Sequence, residues 1–362
     1  MYEKILKPIF FRFDPEREHD LFTWIGGVLG SNFFTRGIVA AFCNYEHPSL
    51  ATRVAGIDFK NPIGLGGGFD KNVRLTKIMP AVGFGFMEVG AITHFPYEGN
   101  HGLRCVRLPD DRSLIVYYGL KNTGAEAIGK RLEKMKFRFP VGINIAKTNR
   151  ADIKGEKSVE DYVATYRMLS HYFSYVTLNV SCPNAQDGVL FQNPAMLETL
   201  LAAISKEKKE CPVFLKISAH LSGDEVDAII AVVDKYSFVD GFVVANLSKK
   251  RDMLHLRSSK EQLGVIPEGG ISGAPIKMLT TAMIRHIYKK TGGKYILIGL
   301  GGVFTAEDAY EKIKAGASLV QLVTGLIYEG PLMVKRINKG LVKLLARDGY
   351  ATVADAVGKG AQ

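Results

Sequence analysis

Short apolar runs alternate with longer stretches of helical periodicity over most of the chain after residue 48. Apolar runs of this length, bounded by glycine and polar residues, are typical of buried strands, whereas the longer stretches repeat apolar positions at the spacing of one helix face. The predicted strands are 63–66, 86–90, 141–146, 175–180, 213–218, 241–246, 295–299 and 319–324. The predicted helices include 159–172, 194–209, 223–235, 275–291 and 306–315.

Eight strands that alternate with helices predict a (β/α)8 TIM barrel of the α/β class. A doubly wound sheet is the alternative, but polar residues and glycines follow nearly every predicted strand. A barrel gathers all eight strand ends around one site, whereas an open sheet gathers only those at its switch point. We therefore expect residues 49–362 to form the barrel, with small additional strands around 53–59 and 104–114.

Residues 1–48 have a different pattern and predict a short N-terminal helical extension. Asp14 and Pro15 resemble an N-cap and a first helical residue, and Ser31 is the predicted cap of a second helix. Both helices carry apolar faces, and the pattern favours packing of these faces on the barrel over contact with a membrane interface. No apolar run approaches the roughly 20 residues that a membrane span needs.

Composition agrees with one large soluble-type domain, since 47% of the 362 residues are hydrophobic. The formal net charge of +11 suits an anionic ligand, and the basic residues are too scattered to predict a nucleic-acid partner. No signal-peptide pattern opens the chain. The cysteines form no CxxC pair, which argues against zinc or disulfides and fits a reducing compartment. They are Cys43, Cys105, Cys182 and Cys211.

The segment from Asn179 to Asn184 concentrates the candidate chemistry at the end of the fourth predicted strand. Its two carboxamides can donate to and accept from a planar polar ring, and Cys182 between them can act as a base or nucleophile. A free cysteine is more often a small buried apolar residue, but this setting favours a functional role. Asn144 and Asn246 end two further strands, which favours a ligand pocket over turn roles.

Glycine-rich loops follow three of the predicted strands. Gly66, Gly67 and Gly68 lack a Cβ, so a flat ligand can lie directly on this backbone, although the spacing does not match a dinucleotide fingerprint. Glycines also follow the seventh and eighth strands, where barrels commonly bind phosphate; glycines that serve only turns are the alternative. Lys71 follows the first loop, and Lys216 lies in an apolar run, where a buried lysine needs a partner.

Together these segments resemble the dihydroorotate dehydrogenase family, the flavin enzymes of pyrimidine synthesis, over nearly the whole chain. The N-terminal extension, with its Asp14-Pro15-Glu16-Arg17 segment and His19, is similar to the membrane-associated, quinone-using class. The motifs that carry the resemblance are 61–71, 142–144, 179–184, Lys216, Asn246, 270–273, 299–302 and 315–321.

The resemblance implies oxidation of dihydroorotate to orotate with FMN as cofactor and a quinone as electron acceptor. Cys182 is the implied base, which takes the C5 proton while C6 gives a hydride to the flavin. The implied FMN contacts are Gly67, Gly68, Lys71, Asn144, Asn179, Lys216, Gly273, Gly302, Thr324 and Gly325. The implied substrate contacts are Lys71, Asn179, Asn184 and Asn246. His19 and Arg107 are candidates for the quinone site. The class also implies a peripheral location on the cytoplasmic side of a membrane; no metal site is predicted.

Four positions depart from the family pattern. Cys182 stands where the quinone-using class carries serine, and Val323 replaces a tyrosine near the quinone site. Val116 replaces a substrate-binding asparagine, and Leu247 replaces a hydroxyl residue that contacts the substrate. The loss of two substrate contacts leaves two other hypotheses open: a related FMN oxidoreductase that acts on a different cyclic amide or enone, and a non-catalytic flavin-binding scaffold.

Overall fold

The computed structural model describes residues 2–185 and 190–361 of the chain. The strands described are β1 (Thr52–Val54), β2 (Ile57–Phe59), β3 (Ile63–Leu65), β4 (Phe86–Ile92), β5 (Cys105–Leu108), β6 (Ser113–Val116), β7 (Val141–Ile145), β8 (Tyr175–Asn179), β9 (Val213–Ile217), β10 (Val239–Val244), β11 (Gly270–Ile271), β12 (Ile296–Leu300) and β13 (Leu319–Leu322).

Eight parallel strands close into a barrel in the order β3-β4-β7-β8-β9-β10-β12-β13, and β13 pairs with β3 to complete the ring. This arrangement confirms the predicted (β/α)8 TIM barrel, and all eight predicted strands are barrel strands with bounds shifted by a few residues. Nearly every residue of these strands is buried, as expected where a parallel sheet is covered on both faces.

Two small antiparallel sheets lie outside the barrel, near the predicted stretches 53–59 and 104–114. β1 and β2 form a hairpin, and β5, β6 and β11 form a three-stranded sheet in the order β11-β6-β5. In the second sheet, Val116 at the end of β6 pairs with Cys105 on one side and with Gly270 on the other. This sheet brings β5 and β6 next to the candidate site.

The N-terminal segment is helical, as predicted. It contains a π-helical turn (Tyr2–Leu6) and the helices α1 (Lys7–Phe10), α2 (Pro15–Ser31) and α3 (Phe33–Cys43). Asp14 caps α2 as predicted, because its Oδ1 accepts from the backbone N–H groups of Glu16 and Arg17. The prediction of Ser31 as the second cap is wrong: its hydroxyl donates to the carbonyl of Val28 within α2, and Asn32 caps α3 instead.

The remaining helices surround the barrel or close its ends. They are α4 (Met79–Val82), α5 (Ala125–Leu132), α6 (Glu156–Leu169), α7 (Pro194–Ile204), α8 (Gly223–Val233), α9 (Lys260–Gly264), α10 (Lys277–Thr291), α11 (Ala306–Ala315), α12 (Thr324–Glu329), α13 (Met333–Arg347) and α14 (Val353–Ala356). The helix predicted over 194–209 ends at Ile204, since the residues that follow are a mainly charged, largely exposed run.

Ion pairs fasten α2 to the three-stranded sheet and the loop that follows it. Glu16 bonds to Arg104 at 2.8 Å and to Lys121 at 2.8 Å. Glu18 forms a buried ion pair with Arg107, a residue of β5. These contacts fix the side of α2 that faces the barrel.

The opposite side of the extension exposes large apolar side chains, so the expectation that these faces pack on the barrel is wrong for many of them. The side chains of α2 and α3 that are 49–77% exposed are Leu21, Trp24, Val28, Phe33, Phe34, Ile38 and Phe42. Both helices carry apolar residues on more than one side, whereas the barrel covers only one side of each helix. Among the described helices none alone is long and apolar enough to cross a membrane; α2 and α3 pass that test only as a pair bent by 111°.

Candidate active site

Every site residue predicted from the sequence lines one cavity of about 550 Å³ at the carboxyl ends of the barrel strands. A volume of this size is in the usual range for small-molecule and cofactor sites. The cavity continues between the barrel and helices α2 and α3, whose apolar residues Phe22, Leu29 and Val39 line it. A polar end over the barrel and an apolar end under the extension therefore share one space.

The loop after β3 forms a flat part of the cavity wall. A Cβ added to Gly67 would lie 2.5 Å from Oε1 of Glu88, so a larger residue here would displace a carboxylate that Asn144 holds in place. The backbone N–H of Gly68 donates to the carbonyl of Gly90 at 2.6 Å, which holds the loop against β4. The backbone of the loop is thus bare and held in place, as a planar ligand resting on it requires.

The loops after β12 and β13 form another part of the wall. Gly302 has a φ of +70°, and a Cβ on it would lie 2.6 Å from Cα of Lys277, so only glycine fits this position. Thr324 shares a hydrogen bond of 2.8 Å with Ser272, which ties the start of α12 to the segment after β11. This bond brings Gly273 and Gly325 to the same region of the cavity.

A network of buried polar side chains lies under the cavity. Nδ2 of Asn179 donates to Oδ1 of Asn144 at 2.9 Å, and Nδ2 of Asn144 donates to Oε1 of Glu88 at 2.7 Å. The Nζ of Lys216 lies 3.9 Å from the same carboxylate oxygen. Burial lowers the pKa of Lys216, while the negative charge of Glu88 acts in the opposite direction. The sequence predicted that a lysine in this apolar run needs a partner, and the structure shows that this partner is Glu88.

Glu88 itself is missing from the predicted site. It is a fully buried residue of β4 and makes contact with two side chains that the sequence pointed to, Asn144 and Lys216. The available signal was an acidic residue inside the apolar run 86–90. Charged residues are almost never fully buried unless they are paired, so an acidic residue in this run indicates a buried partner, as Lys216 does in its own run.

The carboxamide of Asn184 is held with its oxygen free. Its Nδ2 donates to the backbone carbonyl of Val116 at 2.7 Å, which fixes the orientation of the amide. Its Oδ1 is buried and has no partner among the described residues, although the side chain is only 7% exposed. A buried acceptor without a donor costs stability, so this oxygen is placed to accept an N–H from a ligand in the cavity.

Asn246 lies two residues beyond the end of β10 and bonds mainly to its neighbours. Its Nδ2 donates to the carbonyl and the hydroxyl of Ser181, each at 3.1 Å, and its Oδ1 accepts from the N–H of Leu247. These bonds join the segment after β10 to the segment that carries Cys182. Asn246 lines the cavity as predicted, and the hydrogen bonds of its side chain hold these two segments together.

The thiol of Cys182 lines the cavity and is 8% exposed. Burial raises its pKa. The backbone N–H groups of Asn184 and Ala185 and the positive charges of Lys249 and Lys216 act in the opposite direction. A buried thiol beside hydrogen-bond donors and cations is a setting in which a thiolate can form and can then accept a proton from a ligand.

Lys71 supplies a positive charge without a counterion at contact distance. Its Nζ lies 4.1 Å from the ring centroid of Tyr118 and, within residues 2–185 and 190–361, makes no hydrogen bond or ion pair. Burial is the largest effect on this group and lowers its pKa to about 8. A half-buried ammonium group over an aromatic face is ready to bind an anion, which would restore its full charge.

The two quinone-site candidates line the cavity near the extension. Nε2 of His19 is 2.7 Å from the carbonyl of Phe69 and donates to it, so α2 is bonded directly to the glycine loop after β3. The guanidinium of Arg107 lies 4.7 Å from the ring centroid of Phe11 and pairs with Glu18. Both residues therefore stand where the apolar end of the cavity meets its polar end.

The positions that depart from the family pattern also line the cavity. Val116, Leu247 and Val323 contribute apolar surface to it, and Leu247 lies against Gly270 of β11. The polar contacts that the pattern leads one to expect at these positions are therefore absent from the described cavity. Lys71, Asn179, Asn184 and Asn246, the predicted substrate contacts, still bring polar side chains to the cavity, as does Cys182.

Comparison with known proteins gives consistent matches. A family model described as dihydroorotate dehydrogenase matches residues 49–345. The chain is 39% identical over 357 residues to a dihydroorotate dehydrogenase (quinone) of Natronomonas pharaonis, with 98% of each chain covered. It is 36% identical over 367 residues to a protein of the same name from Acidithiobacillus ferrooxidans, again with 98% of each covered. A crystal structure of DHODH from Eimeria tenella in complex with ferulenol superimposes with a TM-score of 0.82 and 28% identity, covering 96% of this chain and 95% of that one.

Proposed function

This chain belongs to the dihydroorotate dehydrogenase family of flavin-dependent oxidoreductases, and we propose that it oxidises dihydroorotate to orotate in pyrimidine synthesis, with FMN as its flavin and a quinone as electron acceptor. One observation carries the proposal. The buried thiol of Cys182 lines the same cavity as the bare glycine loop, the free ammonium of Lys71 and the unpartnered oxygen of Asn184.

FMN fits the residues that line the cavity. Gly67 and Gly302 stand at positions where a Cβ would collide with neighbouring atoms, so these loops bring bare backbone to the cavity, as contact with a flat ring and a phosphate requires. Asn144, Asn179 and Lys216 supply polar groups that suit the heteroatom edge of a flavin. Heating the purified protein to release its flavin, followed by chromatography, distinguishes FMN from other flavins.

The reaction follows from the groups that face the substrate end. The ammonium of Lys71 binds the carboxylate of dihydroorotate, and Oδ1 of Asn184 accepts a ring N–H. The Sγ of Cys182 removes the proton from C5, so electrons become available to expel a hydride from C6 and form the C5=C6 double bond. When bound, FMN supplies the two-electron acceptor for that hydride. Burial of the thiol excludes water from the proton transfer.

The overall activity is tested by orotate formation with different acceptors. The purified protein should form orotate from dihydroorotate when a soluble quinone is present, and should form it far more slowly with fumarate or NAD in its place. Equal rates with fumarate or NAD would remove the quinone assignment. No orotate with any acceptor would remove the proposed function.

A second candidate function is favoured by Val116 and Leu247, which make one side of the substrate end apolar. A less polar substrate, such as a cyclic enone or a cyclic amide without the carboxylate (dihydrouracil, for example), needs fewer polar contacts in the site. Faster flavin reduction by dihydrouracil than by dihydroorotate would favour this candidate. The unpaired charge of Lys71 supports dihydroorotate, since only that substrate carries a carboxylate.

A quinone is proposed to enter through the apolar end of the cavity, beside His19. Replacing His19 by alanine breaks its 2.7 Å bond to Phe69 and removes a polar group at this entrance. We expect quinone reduction to slow by about tenfold, the loss of one hydrogen bond of roughly 1.4 kcal/mol, while flavin reduction by dihydroorotate keeps its parental rate. Stopped-flow measurement of each half-reaction separates the two effects.

Asp20→Asn serves as the matched control for His19→Ala, because Asp20 contacts His19 only through an exposed contact of 3.4 Å. This variant should leave the quinone half-reaction close to the parental rate; flavin reduction is compared at saturating dihydroorotate, because the charge of Asp20 raises the pKa of Lys71. If His19→Ala slows the reaction with dihydroorotate as much as the reaction with quinone, His19 acts on the flavin loop and the quinone assignment is wrong.

The location proposed for the protein is peripheral, on the cytoplasmic side of a membrane, with the extension in contact with lipid. Phe33 and Phe34 of α3 are 73% and 77% exposed, and burial of such side chains in lipid is favourable. Replacing both by serine should weaken sedimentation with neutral phospholipid vesicles by about tenfold or more, since each buried phenylalanine contributes roughly 1.5–3 kcal/mol.

Met278→Ser is the control for the vesicle experiment. Met278 is 69% exposed but belongs to α10, a barrel helix that packs against α8 and α11. Its replacement should leave vesicle binding unchanged. Equal binding by the parent and the Phe33/Phe34 variant would show that α3 is not the lipid contact.

A further inference from the structure

Glu88 is a fully buried carboxylate in the middle of the barrel. It accepts hydrogen bonds from Nδ2 of Asn144 at 2.7 Å, from the hydroxyl of Thr177 at 2.8 Å and from Nε2 of Gln321 at 3.1 Å. Its cationic neighbour is Lys216, whose Nζ lies 3.9 Å away, beyond hydrogen-bonding distance. The carboxylate is thus satisfied mainly by neutral donors.

Such a charge is costly to bury. Taking a carboxylate out of water carries a penalty of several kcal/mol, and neutral hydrogen bonds together with one distant ammonium compensate it only in part. Asn144, Thr177 and Gln321 could bond equally well to a neutral acceptor in the same place. Stability of the barrel therefore gives no reason for a negative charge at this position.

The charge lies directly beneath the cavity. A Cβ on Gly67 would be 2.5 Å from Oε1 of Glu88, so only the bare glycine backbone separates the carboxylate from the space above the loop. Three cavity-lining side chains also depend on Glu88. Lys216 faces it, Asn144 donates to it, and Asn179 is oriented through Asn144.

We propose that Glu88 is a positioning residue of the flavin site: it orients Lys216, Asn144 and Asn179, and its charge lowers the reduction potential of the bound flavin. The inference rests on the proposed function only in requiring a flavin in this cavity. A negative charge in a poorly polarisable interior opposes the gain of electrons nearby, so a flavin bound in this cavity would be harder to reduce and easier to reoxidise by its acceptor.

The test is the midpoint potential of the flavin in the holoprotein, measured by anaerobic electrochemical titration. Glu88→Gln keeps the size of the side chain and removes the charge. We expect its flavin equilibrium to shift toward the reduced form by tenfold or more, which is about 30 mV for a two-electron couple. Glu88→Asp keeps the charge and should stay within about threefold of the parent, roughly 15 mV.

Thr177→Val is the matched control, because it deletes one neutral hydrogen bond to the same carboxylate and leaves the charge in place. Its potential should also stay within about threefold of the parent. A purely structural role for Glu88 predicts equal potentials in the parent, Glu88→Gln and Thr177→Val, and that result would overturn the proposal.

A second comparison applies if Glu88→Gln does not give a folded holoprotein. Removing both members of a buried pair is usually tolerated better than removing one, so Glu88→Gln is then combined with Lys216→Met. The flavin of the double variant should have a higher midpoint potential than the flavin of Lys216→Met, with its redox equilibrium shifted tenfold or more toward the reduced form. Equal potentials would refute the role of the charge. Because the titration uses no dihydroorotate, a failure of the proposed substrate leaves this result intact.

Discussion

Flavin reduction by dihydroorotate is expected to slow by about 10²–10⁴ when Cys182 is replaced by alanine, the usual range for the loss of a positioned general base. The flavin should remain bound, because the glycine loops and the Asn144–Glu88 network do not involve the thiol. In the parent, the rate at saturating substrate should rise with pH, since burial raises the pKa of Cys182 and the thiolate forms above it. Anaerobic stopped-flow absorbance measures both effects.

Cys105→Ala is the matched control for this experiment. Cys105 is also buried and lines the same cavity, but it lies on β5, and burial raises its pKa to about 11. Its replacement should leave the reduction rate and its pH profile unchanged. A Cys182→Ala protein that reduces its flavin at the parental rate would show that the thiol is not the base.

Binding of dihydroorotate is expected to weaken by about tenfold to a hundredfold in Lys71→Met. A hydrogen bond to a charged group contributes roughly 1.5–3 kcal/mol, and Lys71 is the cation in the cavity without a counterion at contact distance among the described residues. Burial lowers the pKa of Lys71 to about 8, so the free protein loses this positive charge as the pH rises through 8. Substrate affinity should fall in that range in the parent and show no such fall in Lys71→Met.

Lys121→Met provides the control, because Lys121 lines the same cavity but its ammonium pairs with Glu16 at 2.8 Å. We expect no more than a small change in dihydroorotate affinity for this variant, measured from the substrate dependence of flavin reduction. Equal losses in the two lysine variants would mean that general positive charge, and not the position of Lys71, governs binding of the anion.

The barrel was predictable because each of its strands is a short apolar run with a distinct end. Parallel strands are buried on both faces and read as continuous apolar runs, and here the short length of each run and the glycine or polar residues at its end distinguish it from a buried helix. Asp14 was predictable as a cap for a similar reason, since Pro15 directly follows it. Both the strands and this helix start are determined by neighbouring residues, so they can be predicted directly from the sequence.

Features that depend on packing between distant segments were less predictable. Ser31 and Asn32 are both good N-cap residues, and the choice depends on where α2 ends. The apolar residues of α2 and α3 were expected to pack on the barrel, but the barrel contacts only one side of these helices. No local pattern specifies which apolar side a neighbour covers.

The candidate site shows the same division. Residues at strand ends, such as Asn179 and Cys182, line the cavity as predicted, because a barrel brings all strand ends together. Glu88 escaped prediction because its partners come from other strands: Thr177 from β8, Lys216 from β9 and Gln321 from β13. The sequence of residues 86–90 cannot indicate partners that lie so far away along the chain.

The most direct test of the account is an anaerobic titration of the purified yellow protein with dihydroorotate. We predict that the visible flavin absorbance is bleached in proportion to the substrate added, with one orotate formed for each flavin reduced. If the absorbance persists with excess dihydroorotate, although dithionite bleaches the same sample, the cavity holds a flavin that dihydroorotate cannot reduce and the proposed reaction is wrong.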